Sequence, residues 1–77
     1  MEIKILGTGC AKCKSLEKIT RDMIIETGVD ASVSKVDDIM DIMTYGVAAT
    51  PALVIDGKVV LYGRIPSSNE MKKILTQ

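Results

Sequence analysis

Histidine, phenylalanine and tryptophan are absent from this 77-residue chain, and tyrosine occurs only twice. Without large rings, the core must be assembled from Ile, Val, Leu and Met. Net charge is missing too, because ten Lys and Arg balance ten Asp and Glu. A neutral chain offers no field to draw nucleic acid or an anionic membrane, so neither is expected as a partner. No apolar run approaches the ~18 residues that a membrane span needs. Met1-Glu2-Ile3-Lys4 has no basic stretch followed by a long apolar one, so no secretory leader is read and a cytoplasmic location is expected. Cysteine is scarce as well: Cys10 and Cys13 are the only two. Paired, they would close the shortest kind of loop, where a crosslink restrains the unfolded chain least. A purely structural disulfide is also unexpected in a reducing cytosol. Two Cys and no His leave a monomer unable to complete a four-ligand zinc shell.

What is present is globular in character, with 47% hydrophobic and 26% charged residues. A chain of this length forms one domain, here residues 1–77, and buries only about 60% of its unfolded surface. The stretch Thr8-Gly9-Cys10-Ala11-Lys12-Cys13-Lys14 organises the rest. Before it, residues 2–6 read as a strand buried on both faces, apolar at Ile3, Ile5 and Leu6 and interrupted only by Lys4. Gly7 and Gly9 punctuate a loop. After it, Leu16, Ile19 and Met23 fall on one face of a helix running from Cys10 or Ala11 to Thr27. Ile24 and Ile25 widen that stripe, Glu17 and Arg21 stand four apart in the favourable order, and Gly28 suits a left-handed cap.

Residues 29–37 read as a second strand whose alternating polar residues suit an edge. Asp37 or Asp38 caps a short helix through Tyr45, with Ile39, Met40, Ile42 and Met43 as its apolar face, and both methionines are read as core filler. Residues 52–55 and 58–62 form a hairpin around Asp56-Gly57, the signature of a type I′ turn. Ser67-Ser68-Asn69-Glu70 opens a last helix as a capping box, with Met71, Ile74 and Leu75 inward. The order is β-α-β-α-β-β-α, an α/β class.

The cysteine pair carries the chemistry. A helix start presents unpaired N–H groups and the positive end of a dipole, so a sulfur held there ionises more easily, and the thiolate is the reactive form. Lys12 and Lys14 add positive charge that favours the thiolate. Two intervening residues let the sulfurs meet across one helical turn.

Three features together resemble the thioredoxin superfamily in its minimal form: Gly9-Cys10-Ala11-Lys12-Cys13 after the first strand, Thr50-Pro51 before the third, and Gly63 after the fourth. The resemblance implies a minimal thioredoxin fold, a four-stranded mixed sheet with helices on both faces. It implies thiol–disulfide exchange, with Cys10 as exposed nucleophile and Cys13 as buried resolving thiol. Thr50-Pro51 is similar to the family's cis-proline site, where the backbone of residue 50 would pair with an extended substrate segment. Gly63 would line the same groove. The expected partners are disulfide-containing proteins and a separate flavoprotein reductase of the thioredoxin reductase type, with no bound cofactor and a monomeric chain. Larger thioredoxins carry Trp where Gly9 stands and a buried acid in the preceding strand, and this chain has neither.

Two other readings stay open on the residues alone. A pair of thiolates can accept copper(I), as in small carriers with a C-x-x-C loop, although those follow a β-α-β-β-α-β order. A dithiol can also serve a redox-sensing adaptor without turnover.

Overall fold

A computed structural model describes residues 1–76, so Gln77, the last residue of the expected domain, lies outside the described residues. The elements are β1 (Glu2–Leu6), α1 (Ala11–Thr27), β2 (Ser32–Val36), α2 (Ile39–Met43), β3 (Ala52–Ile55), β4 (Lys58–Tyr62) and α3 (Ser68–Thr76). Their order is the expected one. The four strands lie in the order β2-β1-β3-β4. β1 runs parallel to β2 and antiparallel to β3, and β3 pairs antiparallel with β4, which makes the sheet mixed. The fold is the minimal thioredoxin architecture that the motifs implied.

The period-two alternation of the strands divides the core between two faces. Ile3, Ile5, Leu53 and Leu61 point to one face, where Leu16 and Met23 of α1 and Met71 and Leu75 of α3 cover them. Leu6, Ala52 and Val54 point to the other, where Ile42 of α2 closes a smaller cluster. Lys4 shares that second face. Its stem is half-buried and its Nζ donates to the Tyr45 hydroxyl at 3.3 Å, so its charge reaches the rim of the cluster. The hairpin turn places both central residues at positive φ, Asp56 at 49° and Gly57 at 82°, as type I′ demands. Gly28 ends α1 at φ 71°, with its N–H bonded to the Ile24 carbonyl.

Several expectations need correction. The second strand begins at Ser32, not Val29, because β1 supplies partners only from Glu2, which faces Ser32. The second helix ends at Met43, not Tyr45. Residues 44, 45 and 46 instead donate to carbonyls three positions back, a tighter winding than the α-helix. A helix this short turns one residue squarely to the sheet. Ile42 is buried, whereas Ile39, Met40 and Met43 are exposed, so the two methionines are not core filler. On α1, Ile25 lies off the stripe and is exposed, while Thr20 is fully buried with its hydroxyl returned to the Leu16 carbonyl at 2.7 Å. Only half of the capping box forms at α3. Ser67 Oγ accepts from the Glu70 N–H at 3.1 Å, but the Glu70 carboxylate grips Arg64 in a two-point contact, with its closer oxygen 2.5 Å away.

The register decides where the site can lie. Leu6 stands opposite Val36 on one side and Ala52 on the other, and Ala52 stands opposite Tyr62. The next row therefore holds Asp37, Gly7, Pro51 and Gly63 at one end of the sheet. Backbone bonds fix both sides of that row, from Gly7 N–H to the Val36 carbonyl at 2.9 Å and from Gly63 N–H to the Pro51 carbonyl at 2.8 Å.

Candidate functional site

The loop between β1 and α1 rises from this row. Gly9 takes φ 93°, a conformation that L side chains rarely adopt, and so turns the chain into the helix. Cys10 follows in extended backbone (φ −69°, ψ 168°) as the N-cap residue of α1. Its sulfur takes the part that Ser or Asp oxygen plays at other helix starts. Cys10 Sγ accepts from the Cys13 N–H at 3.3 Å, and the Cys10 carbonyl accepts from the Lys14 N–H at 3.1 Å. Cys10 is exposed, whereas Cys13, one turn into the helix, is buried at 6% exposure. Neither is in a disulfide, so the chain is in its dithiol form.

The two thiols are driven apart in acidity. The Cys10 thiol is lowered, first by the hydrogen bond from the Cys13 side chain and then by the Cys13 backbone N–H, with the Lys12 and Cys10 amides adding to it. The Cys13 thiol is raised, first by burial and next by the hydrogen bond it makes to Cys10. The exposed sulfur is therefore the first to lose its proton, while the buried one keeps its own and donates toward it. Lys12 contributes through its backbone N–H. The converging amides at the helix start, together with the partner thiol, supply the acidity.

A cavity of about 100 Å³ opens beside Cys13, lined by Gly7, Lys14, Glu17, Lys35 and Asp37 among others. Glu17 is clamped there between Arg21 at 3.0 Å and Lys35 at 3.5 Å, and these cations, Arg21 first, hold its carboxyl below the usual range.

Thr50, Pro51 and Gly63 form the other side of the row. The Thr50–Pro51 peptide bond is cis. Pro51 is buried and Thr50 exposed, and Gly63 takes φ 77° with its Cα hydrogens facing Ala49. A Cβ built on Gly63 would come within 3.4 Å of the Ala49 Cβ, ordinary contact, so its positive φ is the stronger demand for glycine. The structure thus joins Cys10 to Cys13 and Pro51 to Gly63, and aligns the two groups through adjacent strand ends.

Gly7 escaped the sequence reading, which took it as loop punctuation. It continues the β1 ladder and lies against Cys13. A glycine closing a buried strand one turn short of a cysteine helix was the available signal.

Comparison with known proteins agrees with this geometry. Residues 1–76 match the family described as thioredoxin domain. A curated relative named thioredoxin from Methanothermobacter thermautotrophicus is 43% identical over 76 residues, covering 99% of each chain. Another of that name from Methanocaldococcus jannaschii is 38% identical over 73 residues, covering 95% of this chain and 84% of the relative. With a family match along nearly its whole length and two relatives at this identity, the chain belongs to the thioredoxin family.

Proposed function

We propose that the protein is a thiol–disulfide oxidoreductase that reduces protein disulfides through a Cys10/Cys13 cycle. The observation that carries this reading is the division of labour between the sulfurs: one exposed and acidified, the other buried and held protonated against it.

The Cys10 thiolate attacks one sulfur of a substrate disulfide. The substrate S–S bond breaks, a Cys10–substrate S–S bond forms, and the other substrate sulfur leaves as a thiolate that takes a proton from solvent. Cys10, no longer charged, ceases to be the acceptor of the Cys13 proton. Cys13 then loses that proton and attacks Cys10 Sγ, closing the Cys10–Cys13 disulfide and expelling the second substrate thiolate. Two electrons pass to the substrate, and a separate reductase of the flavoprotein type would return the pair to the dithiol. The backbone of exposed Thr50, next to buried Pro51 at the start of β3, offers its N–H and carbonyl to an extended substrate segment, with Gly63 leaving room beside it. Lys12, exposed on the first turn, adds positive potential over the approach to Cys10.

The copper-carrier alternative gains nothing from the element order, which closes on a hairpin and a helix where those carriers end on a strand.

The test is reduction of insulin disulfides with dithiothreitol as electron source. Wild type accelerates it, Cys10→Ser abolishes the acceleration, and Cys13→Ser accumulates a mixed disulfide through Cys10. Absence of turnover combined with tight copper(I) binding would favour the carrier. A partner that binds only one redox form, without turnover, would favour the adaptor.

A further inference from the structure

Of the glycines near the site, Gly7 is the one whose lack of a side chain is filled by a functional atom. A Cβ built there lies 2.2 Å from Cys13 Sγ and 3.0 Å from Cys13 Cβ. The first separation is far inside van der Waals contact. Gly7 differs in kind from Gly9 and Gly63, which take φ 93° and 77° and are glycine for backbone reasons. Gly7 is outside that left-handed region, so its backbone would accept an L side chain and only space forbids one.

Neither partner can easily withdraw. The Gly7 N–H is bonded to the Val36 carbonyl at 2.9 Å, which ties it to the edge strand. Cys13 is held from two sides: its N–H is bonded to Cys10 Sγ at 3.3 Å, and Leu16, the next residue on the same helix face, is fully buried. The soft degree of freedom is the Cys13 side-chain rotamer. A methyl group on residue 7 would swing the sulfur out of its seat.

We propose that Gly7 is the positioning residue for the buried thiol: the space left by its missing side chain seats Cys13 Sγ, and a Cβ there displaces that sulfur from the position in which it meets Cys10. The proposal adds to the exchange reading, since the resolving attack needs the two sulfurs adjacent. It concerns the ground-state arrangement, however, and its test needs no turnover.

The test compares four reduced proteins: wild type, Gly7→Ala, Cys13→Ala, and the double variant. Thiolate absorbance against pH reports Cys10 ionisation, with Cys10→Ser as baseline. Cys13→Ala removes the main cause of Cys10 acidity, so its midpoint rises. Gly7→Ala is expected to raise the midpoint in the same direction, and to add little once Cys13 is already Ala. An unchanged midpoint in Gly7→Ala, or an equal rise in both backgrounds, overturns the proposal. If Gly7→Ala fails to fold, the double variant decides: removing the sulfur leaves only the tight 3.0 Å Cβ contact, and folding is expected to return by circular dichroism. A double variant as unfolded as the single one also overturns it. Loss of insulin reduction with these titrations intact would refute the exchange reading and leave the role of Gly7 standing.

Discussion

Leu16 and Ile25 provide a sharp test of how the cysteine helix is seated. Both are large aliphatic residues on α1, and both belong to its apolar stripe on sequence grounds. The structure separates them: Leu16 is fully buried against the sheet, three residues beyond Cys13, while Ile25 is 81% exposed. Truncating a buried Leu to Ala removes its transfer free energy and leaves a cavity, at a cost of about 2–5 kcal/mol. At roughly 0.05–0.15 kcal/mol per residue, the whole domain holds only about 4–12 kcal/mol. Leu16→Ala is therefore expected to consume a large part of the stability and to lower Tm by about 8–40 °C, taking roughly 4–8 °C per kcal/mol for a domain of this size. Ile25→Ala removes little buried surface and introduces the better helix former, so its effect stays within about 0.5 kcal/mol. Urea unfolding followed by circular dichroism measures both, and the comparison holds where the m-values agree with wild type. An Ile25→Ala protein as destabilised as Leu16→Ala would refute the reasoning, because α1 would then present a different face to the sheet.

Two further expectations follow from local geometry. Gly57→Ala places a Cβ at φ 82° in the hairpin and should destabilise by about 1–2 kcal/mol, and an unchanged urea midpoint would contradict the turn assignment. In acid, Glu17 and Glu70 are held below the usual carboxylate range by Arg21 and Arg64 respectively. The unfolded chain then binds protons first, from about pH 4.3 downward, so their stabilisation is complete above that pH and is lost as pH falls through the depressed folded values. A Glu17→Gln/Glu70→Gln variant should show a shallower acid slope of unfolding midpoint against pH, and an identical slope would count against these pairs.

The elements that sequence reveals best are those with a local cause. The apolar run of β1, the Gly28 cap, the Asp56-Gly57 turn and the helix start at Cys10 each depend on residues a few positions apart. What escaped depends on distant partners. The start of β2 is set by where β1 runs out of pairing groups, and the exposure of Met40 and Met43 by a helix of little more than one turn meeting a sheet. Glu70 abandons its own helix cap for Arg64, a competition invisible to a capping pattern. At the site, both cysteines and the Thr-Pro step could be found from motif and spacing. The amides of the helix start that acidify Cys10 were legible in the sequence, but the first cause, the hydrogen bond from the Cys13 thiol, is one that only folding brings to bear. Gly7 left only a faint signal for a similar reason, because its meaning lies in an atom six residues away packed into its empty side.

The central claim is the asymmetry of the two sulfurs, and residue-resolved alkylation measures it most directly. The reduced protein is pulsed with iodoacetamide across a pH series, and the label on Cys10 and Cys13 is quantified by mass spectrometry. Cys10 is expected to react faster throughout, with a midpoint below the free-thiol value of about 8.5, while Cys13 stays protected until higher pH. Equal labelling of the two, or faster labelling of Cys13, would contradict the account.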